Sequence, residues 1–289
     1  MDNIARSVLR DKIKSLKATY FQDCLDKIFQ VIYESKFTRI KQKQDQGSDG
    51  ILNGNTILAA YAPEKYTLND FKTKVKGDFD SYSKNWLTTH PNWMVVTNLE
   101  LTSAMQKYVE SLKTNSKVFC IESIVELIRL QTWTKRHLIF QSLDIPDYYL
   151  SNDVVGTVIE DLINISDNNN LNEPYNKPLY IEEKTELNVS DENQRIFIDE
   201  YEEFLVLFPK IKSIIENKKS KGIQALRSKI RMTFSGTQGD FISRLNLTCD
   251  ILSNQKCDDD YYKYHIRAVL FYFFEQCLFG KRAAGEIQK

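Results

Sequence analysis

WMVVTNLELTSAMQKYVESLKTNSKVFCI, residues 93–121, carries the clearest indication of fold class in this chain. It begins and ends with short apolar runs that are typical of buried strands, WMVVTN and KVFCI. The segment between them, LTSAMQKYVESLKT, has the spacing of an amphipathic helix that starts at a Thr/Ser cap. A strand, a helix and a second strand in this order predict a parallel crossover, which is right-handed by default. We therefore expect a sheet with helices on its faces.

The residues around this stretch extend the same pattern. ESIVELIRLQ, which follows it, is a predicted helix, and Thr67 can cap another helix from 68 to about 86. NTILAAYA is a short strand behind the turn NGN, which fits a hairpin, and FTRIKQKQ fits an edge strand. Residues 3–34 have the periodicity of one or two helices. The order over residues 37–130 is β–β–α–β–α–β–α, which predicts a mixed sheet.

The second half of the chain has a different character. SNDVVGTVIEDLINIS (151–166) is a helical pattern, and DNNNLNEPYNKP (167–178) has the composition of a linker or exposed loop. From 193 to 289 every periodic segment is helical, and the last has an acidic start, Asp258 to Asp260, and a glycine stop. Its aromatic run, FYFF, predicts a buried helix, with a subunit interface as the alternative.

These patterns predict two domains. Residues 1–145 form an α/β domain, residues 146–190 form a connector, and residues 191–289 form a helical domain for partner binding or oligomerisation. A length of 289 residues is ample for two cores.

Composition excludes several classes of protein. No stretch approaches the roughly 18 consecutive apolar residues of a membrane span. The charged start, MDNIARSVLRDKIK, does not resemble a signal peptide, and the five cysteines form no CxxC. We therefore expect a cytoplasmic protein with reduced thiols and no membrane association. The chain also contains no Walker A, GxGxxG, GxSxG or HExxH motif.

The net charge is zero, but it is unevenly distributed. Residues 1–150 carry 21 Lys/Arg against 17 Asp/Glu, and residues 151–190 carry 2 against 8. Residues 191–289 carry 16 against 14. A chain of this kind can bind nucleic acid only through a local patch.

DQGSDGILNGNTILAAYAPEKY, residues 45–66, carries the candidate chemistry. Asp49-Gly50 after a turn, a short strand and then a Lys-rich helix resemble the restriction-endonuclease-like fold. In more detail, D-x-G-x-DG, YAPE and a Lys-rich helix with DF resemble a subgroup found in bacterial anti-phage systems. In this family, carboxylates on adjacent strands hold Mg²⁺, and a lysine stabilises charge as the phosphodiester is attacked.

The resemblance implies a set of site residues. Asp49 would bind Mg²⁺, with Asp45 and the helix-borne Gln22 as further ligands. The family's Glu/Gln-x-Lys should fall at Ala59-Ala60-Tyr61, where this sequence has neither a metal-binding side chain nor an ammonium. Glu64 would then assist and Lys65 would replace the missing lysine, if the residues past the strand fold back.

The C-terminal half has a resemblance of its own. EKTELN (183–188), the helix around FLVLFP (204–209) and the terminal VLFYFFEQCLFG (269–280) look like C-terminal domains of ABC-three-component, Lamassu-like defence systems. Those systems pair an effector with an SMC- or ABC-type ATPase. The expected partners are therefore such an ATPase and other defence subunits, with a homo-oligomer as a further option.

Three functions stay open at this point. The first is a Mg²⁺-dependent DNA endonuclease controlled by the ATPase partner, and the second is a catalytically inactive adaptor or scaffold of the same complex. The third is a non-catalytic nucleic-acid sensor, whose lysines would track phosphates. The candidate lysines for this role are Lys41, Lys43, Lys72, Lys74 and Lys76, and the alternative for them is a solvated helix face.

Overall fold

A computed structural model describes residues 1, 3–40, 47–166 and 180–281 of the chain. The chain divides into two compact units, Met1–Tyr149 and Leu150–Lys289. The predicted linker, residues 167–178, lies outside the described residues. No helix in the described ranges is long and apolar enough to cross a membrane.

The first unit contains a five-stranded mixed sheet in the order β1-β2-β3-β4-β5. The pairs β1/β2 and β2/β3 are antiparallel, and the pairs β3/β4 and β4/β5 are parallel, as the β–α–β pattern predicted. Of the predicted edge strand FTRIKQKQ, Phe37–Arg39 form a strand and residues 41–44 lie outside the described residues. The predicted hairpin around NGN is present. The strands are β1 (Phe37–Arg39), β2 (Gly50–Leu52), β3 (Thr56–Tyr61), β4 (Asn92–Thr97) and β5 (Lys117–Phe119).

Six α-helices complete the described part of the first unit. They are α1 (Asn3–Ser15), α2 (Ala18–Tyr33), α3 (Leu68–Asn85), α4 (Ser103–Leu112), α5 (Ile121–Arg129) and α6 (Trp133–Ser142).

Local capping starts two of these helices where the sequence predicted. Thr67 Oγ1 accepts a hydrogen bond from the backbone N–H of Asp70 at 3.1 Å, which begins α3. Thr102 Oγ1 accepts from the N–H of Met105 at 3.2 Å, which begins α4. Each cap satisfies one of the N–H groups that have no partner within the first turn of a helix.

The alternation of side chains along β3 separates two environments. Ile57, Ala59 and Tyr61 are buried in a core cluster with residues of α3 and α4. Leu58 and Ala60 line a small cavity on the other side, together with residues of α2. Because successive side chains of a strand point to opposite faces, β3 is covered on both.

All described elements of the second unit are helical. The predicted connector, 146–190, contains two of these helices, α7 and α8, and most of α7 belongs to the second unit. The helices are α7 (Tyr148–Asn164), α8 (Ile181–Asn188), α9 (Asp191–Phe204), α10 (Phe208–Glu216), α11 (Ser220–Gly236), α12 (Phe241–Ser253) and α13 (Asp260–Glu275).

Two motifs that are far apart in the sequence, EKTELN and VLFYFFEQCLFG, meet in this unit. Lys184 is fully buried, and its ammonium donates to the backbone carbonyl of Phe274. Asn188 Nδ2 donates to the Lys281 carbonyl at 2.9 Å, and Asn188 Oδ1 accepts from the Lys281 N–H at 2.6 Å. The α8 motif therefore holds the end of the C-terminal motif in place.

The aromatic terminal helix is buried, as predicted. Its N-terminal cap is Asp259, whose Oδ1 accepts from the N–H of Tyr262 at 3.3 Å. The inward positions are at most 3% exposed, and they are Leu270, Phe273, Phe274 and Cys277. The four cysteines Cys24, Cys120, Cys249 and Cys277 are buried free thiols, and Cys257 is an exposed one.

Candidate functional site

The predicted metal ligand Asp49 lies at the bend that leads into β2, beside β3. Its backbone N–H donates to the carbonyl of Leu58 at 2.8 Å. Its Oδ2 accepts a hydrogen bond from the backbone N–H of Ala60 at 2.6 Å, and its Oδ1 accepts from Gln22 Nε2 at 2.5 Å. The structure therefore brings together two of the predicted site residues, Asp49 and Gln22.

The position of Gln22 follows from the way in which α2 begins. The N–H of Ala18, the first residue of α2, donates to the carbonyl of Ala62 at 2.9 Å, just past the end of β3. Ala18 has φ of +43°, which marks the sharp turn between α1 and α2. Gln22 lies about one helical turn further on, so its amide reaches Asp49 at the same end of β3.

These residues line a surface cleft of about 440 Å³ at the end of β3. A positively charged side chain also lines the cleft. It is Lys74 of α3, which forms an ion pair with Asp78. An acid, an amide and an ammonium thus converge on one cleft. Its lining residues are Ala18, Thr19, Gln22, Asp49, Ala60, Tyr61, Ala62, Pro63 and Lys74.

The cleft has no second carboxylate on β3. Ala59 is buried among the core residues on the α3 side, and the ring of Tyr61 packs edge-on against Phe71 with 5.3 Å between centroids. Ala60, the residue beside Asp49, contributes only its backbone N–H. The strand that carries Glu/Gln-x-Lys in the family therefore offers no acid or lysine here.

Glu64 and Lys65, the predicted replacements for the missing groups, do not line this cleft. Both are exposed, and they lie in the bend between β3 and α3. Neither contributes to the wall of the cleft that contains Asp49. The ammonium at the cleft comes instead from Lys74, which the sequence analysis singled out only as a phosphate contact.

Three other predicted site residues, Asp45, Lys41 and Lys43, lie outside the described residues. No position or partner is assigned to them.

The predicted phosphate-tracking lysines of α3 have partners within the unit. Lys74 pairs with Asp78, and Lys76 Nζ lies 2.5 Å from Asp80 Oδ1, each at the i, i+4 spacing. Lys72 Nζ lies 5.5 Å from the centroid of the Tyr108 ring. Since two of the three charges are offset by aspartates one turn away, α3 presents a mixed face and not a basic one.

The described residues around Asp49 offer Mg²⁺ one carboxylate. This ion takes near-octahedral oxygen ligands, usually with one or two carboxylates. Each oxygen of Asp49 accepts one N–H hydrogen bond, from Gln22 or from Ala60, and keeps a further lone pair. In the described ranges, no group of three or more His, Cys, Asp or Glu side chains has the arrangement of a metal site.

A second carboxylate near this region, Asp26, was missed by the sequence analysis. It lies one turn after Gln22 on α2, is 8% exposed and lines the small cavity between α2 and β3 together with Asp49. Arg39 Nε lies 2.6 Å from Asp26 Oδ2, and Arg39 also pairs with Asp23. The i, i+4 spacing of Gln22 and Asp26 was the available signal in the sequence.

Burial raises the pKa of Asp26 from 3.8 to about 6, although the Arg39 guanidinium opposes this shift. An acid with a raised pKa binds its proton more tightly in the folded state than in the unfolded chain. The free energy of unfolding therefore falls as pH rises from about 4 to about 6, and the loss is complete above pH 6. Lowering the pH from 7.5 towards 4.5 should raise the free energy of unfolding again as Asp26 takes up its proton.

We expect Asp26→Asn to stabilise the first unit at pH 7.5 and to lose this advantage at pH 4.5. The measurement is urea unfolding followed by tryptophan fluorescence, because all three tryptophans, Trp86, Trp93 and Trp133, lie in this unit. The matched control is Asp23→Asn, which removes an exposed carboxylate that pairs with the same arginine. A difference between Asp26→Asn and wild type that does not vary with pH would contradict the prediction.

Comparisons with protein-family models, curated proteins and solved structures give no match for this chain.

Proposed function

We propose that this chain is a non-catalytic adaptor subunit of a bacterial anti-phage complex, built on a restriction-endonuclease-like sheet and paired with an SMC- or ABC-type ATPase. The observation that carries the proposal is the state of the Asp49 carboxylate. It accepts hydrogen bonds from both the Gln22 amide and the Ala60 N–H, and no second acid on β3 accompanies it. In such a site the aspartate ties α2 to the sheet, which is a structural role.

The topology supports the restriction-endonuclease-like interpretation. An antiparallel hairpin, β2/β3, is followed by the parallel strands β4 and β5. The candidate acid precedes the first hairpin strand, and a preceding helix brings a polar side chain to it. A polar residue brought to the acid by a preceding helix is one part of the arrangement that the resemblance implied.

The second unit supports a role in assembly. Ile196 on α9 and Val206 just after it are 67% and 77% exposed. Ile196 shares one face of α9 with the exposed acidic residues Asp199 and Glu203, because the spacing is i, i+3 and i+7, and Val206 lies in the 3₁₀ turn that follows the helix. Exposed apolar side chains within an acidic rim suit a partner surface that is apolar and basic.

We expect Asp49→Ala to lower the free energy of unfolding of the first unit by about 2–4 kcal/mol, because two N–H donors lose a charged acceptor. Wild type should not cleave plasmid or linear DNA with Mg²⁺ or Mn²⁺. Urea unfolding by tryptophan fluorescence and a cleavage assay on the same protein test both statements. Glu64→Ala is the control, since an exposed side chain should change stability by less than about 0.5 kcal/mol.

Metal-dependent cleavage that disappears in Asp49→Ala, with the fold intact, would contradict the proposed adaptor function. It would favour the second candidate function, a Mg²⁺-dependent nuclease. The specific observation for that candidate is Lys74, which supplies an ammonium to the cleft of Asp49. The same assay distinguishes the two functions: cleavage should be lost in Lys74→Ala but retained in Lys76→Ala, whose lysine does not line the cleft.

A further inference from the structure

The strongest charge separation of the molecule lies in the second unit. Residues 209–239 contain eight Lys/Arg and one Asp/Glu, which is Glu216. Residues 150–208 of the same unit contain three Lys/Arg and fourteen Asp/Glu. Residues 240–289 carry seven Lys/Arg against seven Asp/Glu, so the net positive charge of the unit is concentrated on α10, α11 and the turn between them.

The lysines of α11 lie off its main buried stripe. That stripe consists of apolar residues at helical spacing, namely Ile223, Leu226, Ile230 and Phe234. Ala225 and Ser228, which follow Lys221 by one and two turns on its own face, are buried as well. At 100° per residue, Lys221 lies opposite this stripe, and Lys229 and Arg231 flank the exposed side. Lys219 and Lys221 are exposed, and Lys229 is partly exposed. We call the set of Lys219, Lys221 and Lys229 the α11 lysines.

Within the described ranges the α11 lysines have no acidic partner, in contrast to Lys212 and Lys218. Lys218 Nζ lies 2.7 Å from Glu160, and Lys212 Nζ lies 3.9 Å from Glu216. Across the described ranges, no carboxylate lies within ion-pair distance of any α11 lysine. The lysines Lys74 and Lys76 of α3, by contrast, each have an aspartate at i+4.

We propose that the α11 surface binds the phosphate backbone of duplex nucleic acid. Three ammonium groups without an ion-pair partner among the described residues lie within a strongly basic segment. They complement a polyanion, and each bound phosphate releases condensed counterions. The helix rises about 15 Å from Lys221 to Arg231, which corresponds to roughly four phosphates of one strand. The exposed polar residues Ser220, Gln224 and Ser235 interleave the charges and can donate hydrogen bonds to phosphate oxygens.

The surface lacks the features of base recognition. Within the described part of α10 and α11, the one large apolar side chain that is exposed is Met232, and no aromatic residue is exposed. Single strands are held mainly by stacking of bases on aromatic side chains. Recognition is therefore of the backbone, independent of sequence, and favours a duplex over a single strand. This inference goes beyond the adaptor role and does not depend on Asp49.

The experiment measures fluorescence anisotropy of a labelled 30-base-pair duplex of arbitrary sequence, with the full chain, at 50 to 200 mM KCl. The test variant combines Lys219→Glu, Lys221→Glu and Lys229→Glu. The matched control combines Lys84→Glu, Lys107→Glu and Lys117→Glu, three exposed lysines of the first unit with the same change of charge. A variant with arginine at the three α11 positions shows whether positive charge there is sufficient.

Wild type should bind with a steep salt dependence. The plot of log K against log salt has a negative slope, and each lost phosphate contact reduces its magnitude by about 0.9. Losing three contacts therefore weakens binding at 0.1 M salt by roughly 500-fold. The glutamate test variant should show this loss. The control should bind more than tenfold tighter than the test variant, and the arginine variant should bind like wild type.

Several outcomes would overturn the proposal. Wild type that does not bind at 50 mM KCl has no such surface, and equal losses in the test and control variants would assign binding to net charge alone. Tighter binding to a single strand than to the duplex would contradict backbone recognition. Self-association of wild type that is lost in the test variant, without duplex binding, would assign the α11 surface to the acidic face of a second copy.

Discussion

Phe271→Ala is expected to lower the free energy of unfolding of the second unit by about 4 kcal/mol, because it removes a large buried ring from the middle of an aromatic cluster. Phe271 on α13 has no exposed surface. Its ring stacks on Phe197 with 4.6 Å between centroids and lies 5.2 Å from the ring of Phe204. The variant loses the burial of the ring, the contacts with both neighbours and the packing of the space left behind.

Hydrogen exchange measured by mass spectrometry is the suitable assay, since it reports the second unit separately in a chain whose two units need not unfold together. Peptides from α9 and α13 should lose protection, and peptides from β3 and β4 should keep it. Ile196→Ala is the control, because its side chain is largely exposed and its loss should cost about 0.5 kcal/mol or less. Equal protection in the two variants would show that α13 does not form the core of this unit.

Gly47→Ala is expected to destabilise the first unit by about 2–4 kcal/mol and to displace the segment that carries Asp49. Gly47 has φ of +80°, where an alanine is strained by about 1–2 kcal/mol. A Cβ at this position would lie 2.6 Å from Ser81 Cβ and 2.8 Å from the backbone oxygen of Asp78. Neither atom is the end of a flexible side chain, so the 47–49 segment must move away from α3.

Gly54→Ala provides the matched control. Gly54 also has a positive φ, +67°, but no atom lies within 4 Å of the Cβ that alanine would add. It should therefore show the backbone strain alone, about 1–2 kcal/mol. Tryptophan fluorescence in urea compares the two variants. If Gly47→Ala costs no more than Gly54→Ala, the close approach of the Asp49 segment to α3 is not part of the fold in solution.

The stability and cleavage of the Gly47→Ala and Asp49→Ala variants together show whether Asp49 has a structural or a catalytic role. If the aspartate is a structural tie between α2 and the sheet, both variants lower stability and neither affects any cleavage. If it is catalytic, Gly47→Ala should reduce cleavage to the extent that it displaces the carboxylate from the cleft.

Local structure could be predicted from the sequence. The starts of α3 and α4 were predicted from Thr67 and Thr102, and the hairpin was predicted from the NGN turn. In that turn Asn53 and Gly54 both adopt positive φ. Caps, turns and apolar periodicity act between residues a few positions apart, so their outcome is set before the chain packs. The mixed sheet followed from the order of these elements and the short connections between them.

The residues that line the cleft could be predicted from the sequence only in part. The motif placed Asp49 and Gln22 in one site, and the structure brings them together. The same motif assigned the ammonium to Lys65, whereas Lys74 lines the cleft. Proximity to Asp49 along the chain favoured Lys65, but the direction in which α3 crosses the sheet determines which lysine reaches the end of β3.

The hydrogen bonds between Asn188 and Lys281 were likewise not predictable from the sequence. The two motifs around them were recognised separately, and nothing in either one indicates that an amide in the first holds the backbone of the second. Helix periods, caps and turns depend on neighbours along the chain and can be predicted from it. The meeting of Asn188 with Lys281, or of Lys74 with the cleft of Asp49, depends on strand register and helix docking, which are fixed by burial of apolar surface over a whole unit.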